Sequence, residues 1–138
     1  MKKYLKFLII ISMFFTLCSL SKVKVNANES RATPPIPVYA EVEKRVTFSD
    51  GYMLFEGEMT GTMIRGSDRK VISYDVELNA SFIDGVGYYP ANMTQTKTVT
   101  TSGYGIIGKI VVRYDLKDDL GNTIATNKTL TIEIPYGV

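Results

Sequence analysis

The 138-residue chain contains no histidine and no tryptophan, and its single cysteine, Cys18, sits near the end of the apolar run that opens the sequence. Without histidine there is no imidazole base, no Ser-His triad, and no zinc site of Cys and His ligands. One cysteine cannot form a disulfide within the chain, so a folded domain here must be held by its core alone. Long hydrophobic runs are also missing. The uncharged apolar run Phe7 to Leu20 is 14 residues, short of the roughly 20 that a membrane-spanning helix needs.

That short run has the layout of a secretory signal. Lys2, Lys3 and Lys6 precede it, and Val25-Asn26-Ala27 supplies small residues for cleavage after Ala27. Residues 1–27 are therefore read as a signal peptide and not as a retained anchor. A lipoprotein signal built on Cys18 is the weaker alternative, because Phe15-Thr16-Leu17 lacks the small residue usual before a lipidated cysteine. The signal holds five of the 16 basic residues and none of the 14 acidic ones, which leaves 11 bases against 14 acids, a net charge of −3 on residues 28–138. The positive excess leaves with the signal and no Lys/Arg cluster remains, so a nucleic-acid surface is excluded. The expected destination is extracellular or cell-surface associated, with no membrane span after cleavage.

Residues 28–37 contain Thr33-Pro34-Pro35-Ile36-Pro37 and read as a stiff, proline-rich leader outside any sheet. From residue 38 onward the dominant signal is a period of two. Ile72, Tyr74, Val76, Leu78, Ala80 and Phe82 alternate with Ser73, Asp75, Glu77, Asn79 and Ser81, which predicts a strand with one buried and one wet face. A strand over 38–48 has apolar even positions except Lys44, where a bulge is expected. Asp50-Gly51 marks a tight turn. Met53, Phe55, Met59 and Met63 line the buried side of the next strand, with Gly57 and Gly61 marking a bulge or a close approach. Tyr88-Tyr89-Pro90 reads as a loop or short edge piece. The strand over 92–101 carries Thr94, Thr96, Thr98 and Thr100 on one face and little to bury, which places it at a sheet edge. Ile106, Ile110, Val112, Tyr114 and Leu116 define the next buried face. In the closing strand Ile124, Leu130, Ile132 and Ile134 are expected inside, with Pro135 ending it.

Six long strands and one doubtful short one, compact turns and no helical period predict a single all-β domain over 38–138, an antiparallel β-sandwich or alternatively a small barrel. The last two strands, with Tyr114, Asp115, Asp119, Gly121 and Asn122 around their turn, resemble the closing hairpin of bacterial immunoglobulin-like domains. The resemblance covers about a quarter of the mature chain and implies an immunoglobulin-like sandwich with no catalytic or binding residues attached.

Three groups of residues are candidates for chemistry. Tyr88 and Tyr89 offer rigid amphipathic surface for a protein or glycan partner, or cap the open end of the core. Asp115, Asp118, Asp119 and Asn122 gather oxygens that a calcium ion could take, although acids are also common in turns. Glu56 with Glu58, and Asp75 with Glu77, have the strand spacing of paired carboxylates in a glycan hydrolase, but lack the tryptophan on which sugars stack. The sequons at Asn28, Asn79, Asn92 and Asn127 are read as products of a Thr- and Asn-rich composition. The expectation is a secreted, non-enzymatic binding module of bacterial type that needs no cofactor. A small carboxylate-dependent glycan hydrolase and a secreted toxin or immunity factor are the alternatives.

Overall fold

The computed structural model describes residues 33–138. The expected signal peptide, Cys18 and the start of the leader lie outside the described residues. Six strands follow one another, β1 (Ile36–Phe48), β2 (Gly51–Arg65), β3 (Val71–Val86), β4 (Tyr88–Ser102), β5 (Gly105–Asp118) and β6 (Thr123–Tyr136). They form two antiparallel three-stranded sheets, ordered β1-β2-β3 and β4-β5-β6. The fold is thus a β-sandwich of two meanders. Every connection inside a sheet is a hairpin, and the Greek-key connections typical of immunoglobulin sandwiches are not among them.

The two meanders join through one residue. β3 ends at Val86 and β4 begins at Tyr88, so Gly87, with φ of 80°, carries the whole crossing from one sheet to the other. A left-handed backbone at that point favours glycine. Tyr88-Tyr89-Pro90 is consequently strand and not loop: Tyr88 pairs with Asp118, Tyr89 with Lys117 and Pro90 with Leu116. Proline is tolerated there because β4 is an edge strand and needs no donor on its outer side. The same reasoning corrects two further expectations. Pro37 lies inside β1, opposite Thr62, and Pro135 lies inside β6, opposite Ile107.

Alternation builds the core. Met53, Phe55, Met59 and Met63 of β2 face Ile106, Ile110, Val112, Tyr114 and Leu116 of β5, and Val38, Leu78, Ala80, Leu130, Ile132 and Ile134 complete the layer. Phe55 is central, with ring centroids 5.8 Å from Phe82 and 5.6 Å from Tyr114. The sheets approach closely at two glycines in reciprocal positions. A side chain at Gly57 would meet Ile132 and Ile134, and one at Gly108 would meet Leu78 and Met59. Each sheet thus receives the branched side chains of the other over a residue with no side chain of its own.

Three of the edge strands carry a lysine at an inward position. Lys44 of β1 pairs with Phe55, Lys97 of β4 with Ile110, and Lys128 of β6 with Tyr114. No bulge occurs at Lys44, because the β1–β2 register runs without a shift. An inward lysine at the rim keeps its charge in water along an apolar wall, and blocks edge-to-edge association.

Bulges sit elsewhere. Asn92 and Asn127 have positive φ, 52° and 53°, and mark extra residues in β4 and β6 on either side of Asp115. The β6 bulge flips the facing of everything before it. Ala125, not Ile124, therefore pairs with Leu116, and Ile124, extra at a second register shift, turns out into solvent. At the start of β3 a further register shift, between Ile64 and Arg65, leaves Ile72 without a β2 partner, and Ile72 and Tyr74 are both exposed.

Candidate binding site at the Tyr88 end of the sandwich

At one end of the sandwich the β1–β2 turn, the Gly87 crossing and the β5–β6 loop meet around a hollow of about 520 Å³. Its walls include Asp50, Val86, Tyr88, Asp118, Leu120 and Ile124. The close fit of its parts is written in Gly51, where any Cβ would lie 2.0 Å from the Val86 carbonyl oxygen.

Tyr88 forms one wall. Its ring lies 4.2 Å from that of Phe48, tilted by 34°, and its hydroxyl donates to Asp50 Oδ1 at 2.5 Å. That hydrogen bond, then burial, then the nearby charges of Asp50, Asp118 and Asp119 push the phenol pKa above its ordinary value. Tyr88 therefore closes the end of the core and also faces the hollow. Tyr89 is on the opposite face of β4, with its hydroxyl near Gly121. The two tyrosines do not act together on one surface.

The β5–β6 loop is built around Asp118. Its Oδ1 accepts the backbone N–H groups of Leu120 at 3.0 Å and Asn122 at 2.8 Å, and Oδ2 accepts the Asn122 side-chain amide at 3.2 Å. These bonds, chiefly the one from the Asn122 backbone, hold the carboxyl below the ordinary range. Gly121 takes the expected left-handed conformation, φ 80°. Satisfied from within, the loop turns Leu120 outward, where it is 86% exposed. Ile124 at 54% and Val86 at 51% flank it. Their exposure had no signal in the sequence, since Ile124 follows the inward pattern and Leu120 and Val86 sit alone among turn residues.

Asp115 serves the strands. Asn92 Nδ2 donates to its Oδ2 at 2.9 Å and the Asn127 backbone N–H to its Oδ1 at 3.1 Å. The Asn92 bond, then the Asn127 bond, lower its pKa. One carboxylate of the central strand thus pins the bulges of both neighbours. Asp115, Asp118 and Asp119 are not a set with oxygens mutually within 4.8 Å, whereas among the described residues Glu41, Glu56 and Glu58 are.

That trio is on the outer face of the first sheet. Glu41 pairs with Glu58 and Glu43 with Glu56 across β1 and β2, and Asp75 and Glu77 share the face from β3. The Tyr39 hydroxyl donates to Glu41, which is the main reason its phenol is pushed up to about 12. Three carboxylates so placed offer oxygens suited to a hard cation. Of the carboxylates considered for glycan hydrolysis, Glu58 and Glu77, one from each proposed pair, line a common groove beside β3. The threonine row of β4 is exposed at a sheet edge, as expected. No protein-family profile, curated protein or solved structure matches the chain.

Proposed function

We propose that the chain is a secreted, non-enzymatic binding module that engages a protein partner at the hollow beside Tyr88. The observation that carries this reading is the exposure of Leu120, Ile124 and Val86 around one concave surface. Aliphatic side chains gathered on a surface, with acids at the rim, are a feature of interaction sites. Leaving them in water forgoes about 25 cal/mol for each Å² that a partner would cover. The acids Asp50, Asp118 and Asp119 favour a partner whose apolar side chain is flanked by lysine or arginine.

A protein suits the hollow better than a glycan. Sugars are held by open aromatic faces and free polar groups, but one face of Tyr88 is covered by Phe48 and its hydroxyl is occupied by Asp50. Export rests on the basic start, the short apolar run and the small residues before Asn28.

The test is retention of material from culture supernatant and cell-surface extract by the immobilised protein and by its Leu120→Asp/Ile124→Asp variant. Both sites are exposed, so the double variant should melt within about 8 °C of the parent, since each surface change is usually within about 0.5 kcal/mol and each kcal/mol is about 4–8 °C. Loss of the retained partner is the expected result. Equal retention by the double variant would refute the site, and chemical conversion of the captured molecule would refute the non-enzymatic reading.

A further inference from the structure

β3 is the outer strand of its sheet, beside β4 of the other. Half of its backbone groups therefore face away from β2. Ala80 shows which half. Its N–H donates to Gln95 Oε1 at 3.0 Å and its carbonyl accepts from Gln95 Nε2 at 2.7 Å. The register with β2 is unbroken between Ser73 and Phe82, and amide groups alternate sides along an antiparallel strand. Val76 and Leu78 therefore turn their N–H and C=O to the same free edge.

Gln95 does for Ala80 what a seventh strand would do, with one side-chain amide as both donor and acceptor. At Val76 and Leu78 no side chain among the described residues takes that place. Instead a groove of about 650 Å³ lies beside them, lined by Glu58, Val76, Glu77, Leu78, Lys97 and Val99. Gln95 closes one end. The Tyr74 hydroxyl, donating to the Val99 carbonyl at 3.1 Å, bounds the other.

The charges select the occupant. Glu58, Asp75 and Glu77 are on the solvent side of this edge, and Glu41, Glu43 and Glu56 extend the acidic face across β2 to β1. Two copies paired edge to edge along β3 would set Asp75 and Glu77 against their equivalents, and like charges across strands repel. A strand with lysine or arginine at every second residue would instead set its cations beside those acids. Its intervening side chains would point towards Lys97 and Val99.

We propose that the β3 edge between Tyr74 and Ala80 binds an extended cationic peptide by strand addition. The peptide backbone pairs with Val76 and Leu78, and its alternate lysines or arginines face Asp75 and Glu77. This surface is separate from the Tyr88 hollow and does not depend on it.

The experiment titrates the whole protein with two labelled, end-blocked peptides, Lys-Thr-Lys-Thr-Lys and Lys-Pro-Lys-Pro-Lys. They carry the same charge, but the prolines remove the N–H groups that a ladder needs. Fluorescence anisotropy gives affinity, and amide hydrogen exchange gives location. The threonine peptide is expected to bind at least about tenfold more tightly and to slow exchange at Val76 and Leu78. Val76→Pro deletes an edge-facing donor without touching the β2 ladder, and should lose that binding. Glu77→Lys, which leaves the backbone intact, should lose it as well and decides the matter if the proline variant does not fold. Equal binding of both peptides, undiminished binding by either folded variant, or protection confined to another edge would overturn the proposal.

Discussion

Replacing Gly57 with alanine would place a Cβ 2.7 Å from Ile132 Cγ2 and 3.1 Å from Ile134 Cδ1. Ile132 is buried and branched at Cβ, so its Cγ2 cannot swing aside without leaving the one χ1 well that its packing allows. Forcing a methyl into a packed core costs about 1–3 kcal/mol, partly offset by the 0.5–1 kcal/mol that alanine contributes over glycine in a strand. Taken at the middle of both ranges, the net expected loss is about 1 kcal/mol. Gly108 provides the internal contrast. A Cβ there meets Leu78 Cδ2 at 2.5 Å, the far end of a side chain with two rotatable bonds, so Gly108→Ala should stay within about 1 kcal/mol of the parent. Urea denaturation of both variants, with an unchanged m value, measures the difference. In a domain of this size each kcal/mol corresponds to about 4–8 °C in Tm. A Gly57→Ala protein as stable as its parent, or one more stable than Gly108→Ala, would refute the argument that the sheets meet over these two residues.

Three further outcomes follow from the same structure. Phe55→Ala removes a fully buried ring between Phe82 and Tyr114 and should cost about 3–5 kcal/mol in chemical denaturation. Asp115 and Asp118 both have folded pKa values below the ordinary one, first through the Asn92 amide and the Asn122 backbone N–H respectively. Their contribution is therefore present above about pH 3.9 and is lost as pH falls through their lower folded values. Asp115→Ala/Asp118→Ala should thus lower Tm at neutral pH and flatten its decline on acidification, read by calorimetry from pH 6 downward. Tyr39 should ionise near pH 12, and Glu41→Gln should bring it back towards 10, followed by tyrosinate absorbance.

Much of the layering was legible because it rests on a local rule. β5 is buried along one whole face, so Ile106 to Leu116 could be assigned inward from alternation alone. The rule misleads where the structure adds a residue to a strand. Ile124 continues the inward pattern of Leu130, Ile132 and Ile134, yet the bulge at Asn127 reverses its facing. The signal was the Asp115–Asn127 pairing across strands, which no single-strand pattern contains. Alternation also says nothing of where a core stops. Ile72 is the extra residue at the register shift opposite Ile64 and Arg65 and is 56% exposed, while Tyr74, at the outer edge of its sheet, stays 40% exposed even as its hydroxyl reaches the Val99 carbonyl.

The Tyr88 hollow was the least legible feature, for a topological reason. Its wall comes from three segments far apart in the chain, Asp50, Val86 to Tyr88, and Asp118 to Ile124, brought together only when both meanders turn at the same end. Composition identified Tyr88 as notable. It could not separate Tyr88 from Tyr89, because their assignment to opposite faces depends on both being in β4. Nor could it group Glu41 with Glu56 and Glu58, since that contact depends on the β1–β2 register.

The central claim, that this sandwich binds a partner at its Tyr88 end, is tested most directly by photo-crosslinking in the producing culture. A photoreactive phenylalanine is placed at Leu120 or at Ile124, and at Lys109, exposed on the outer face of the second sheet, as a comparison. The account predicts one shared protein adduct from positions 120 and 124 and none from 109. Adducts from 109 alone, or the same adduct from all three positions, would contradict it.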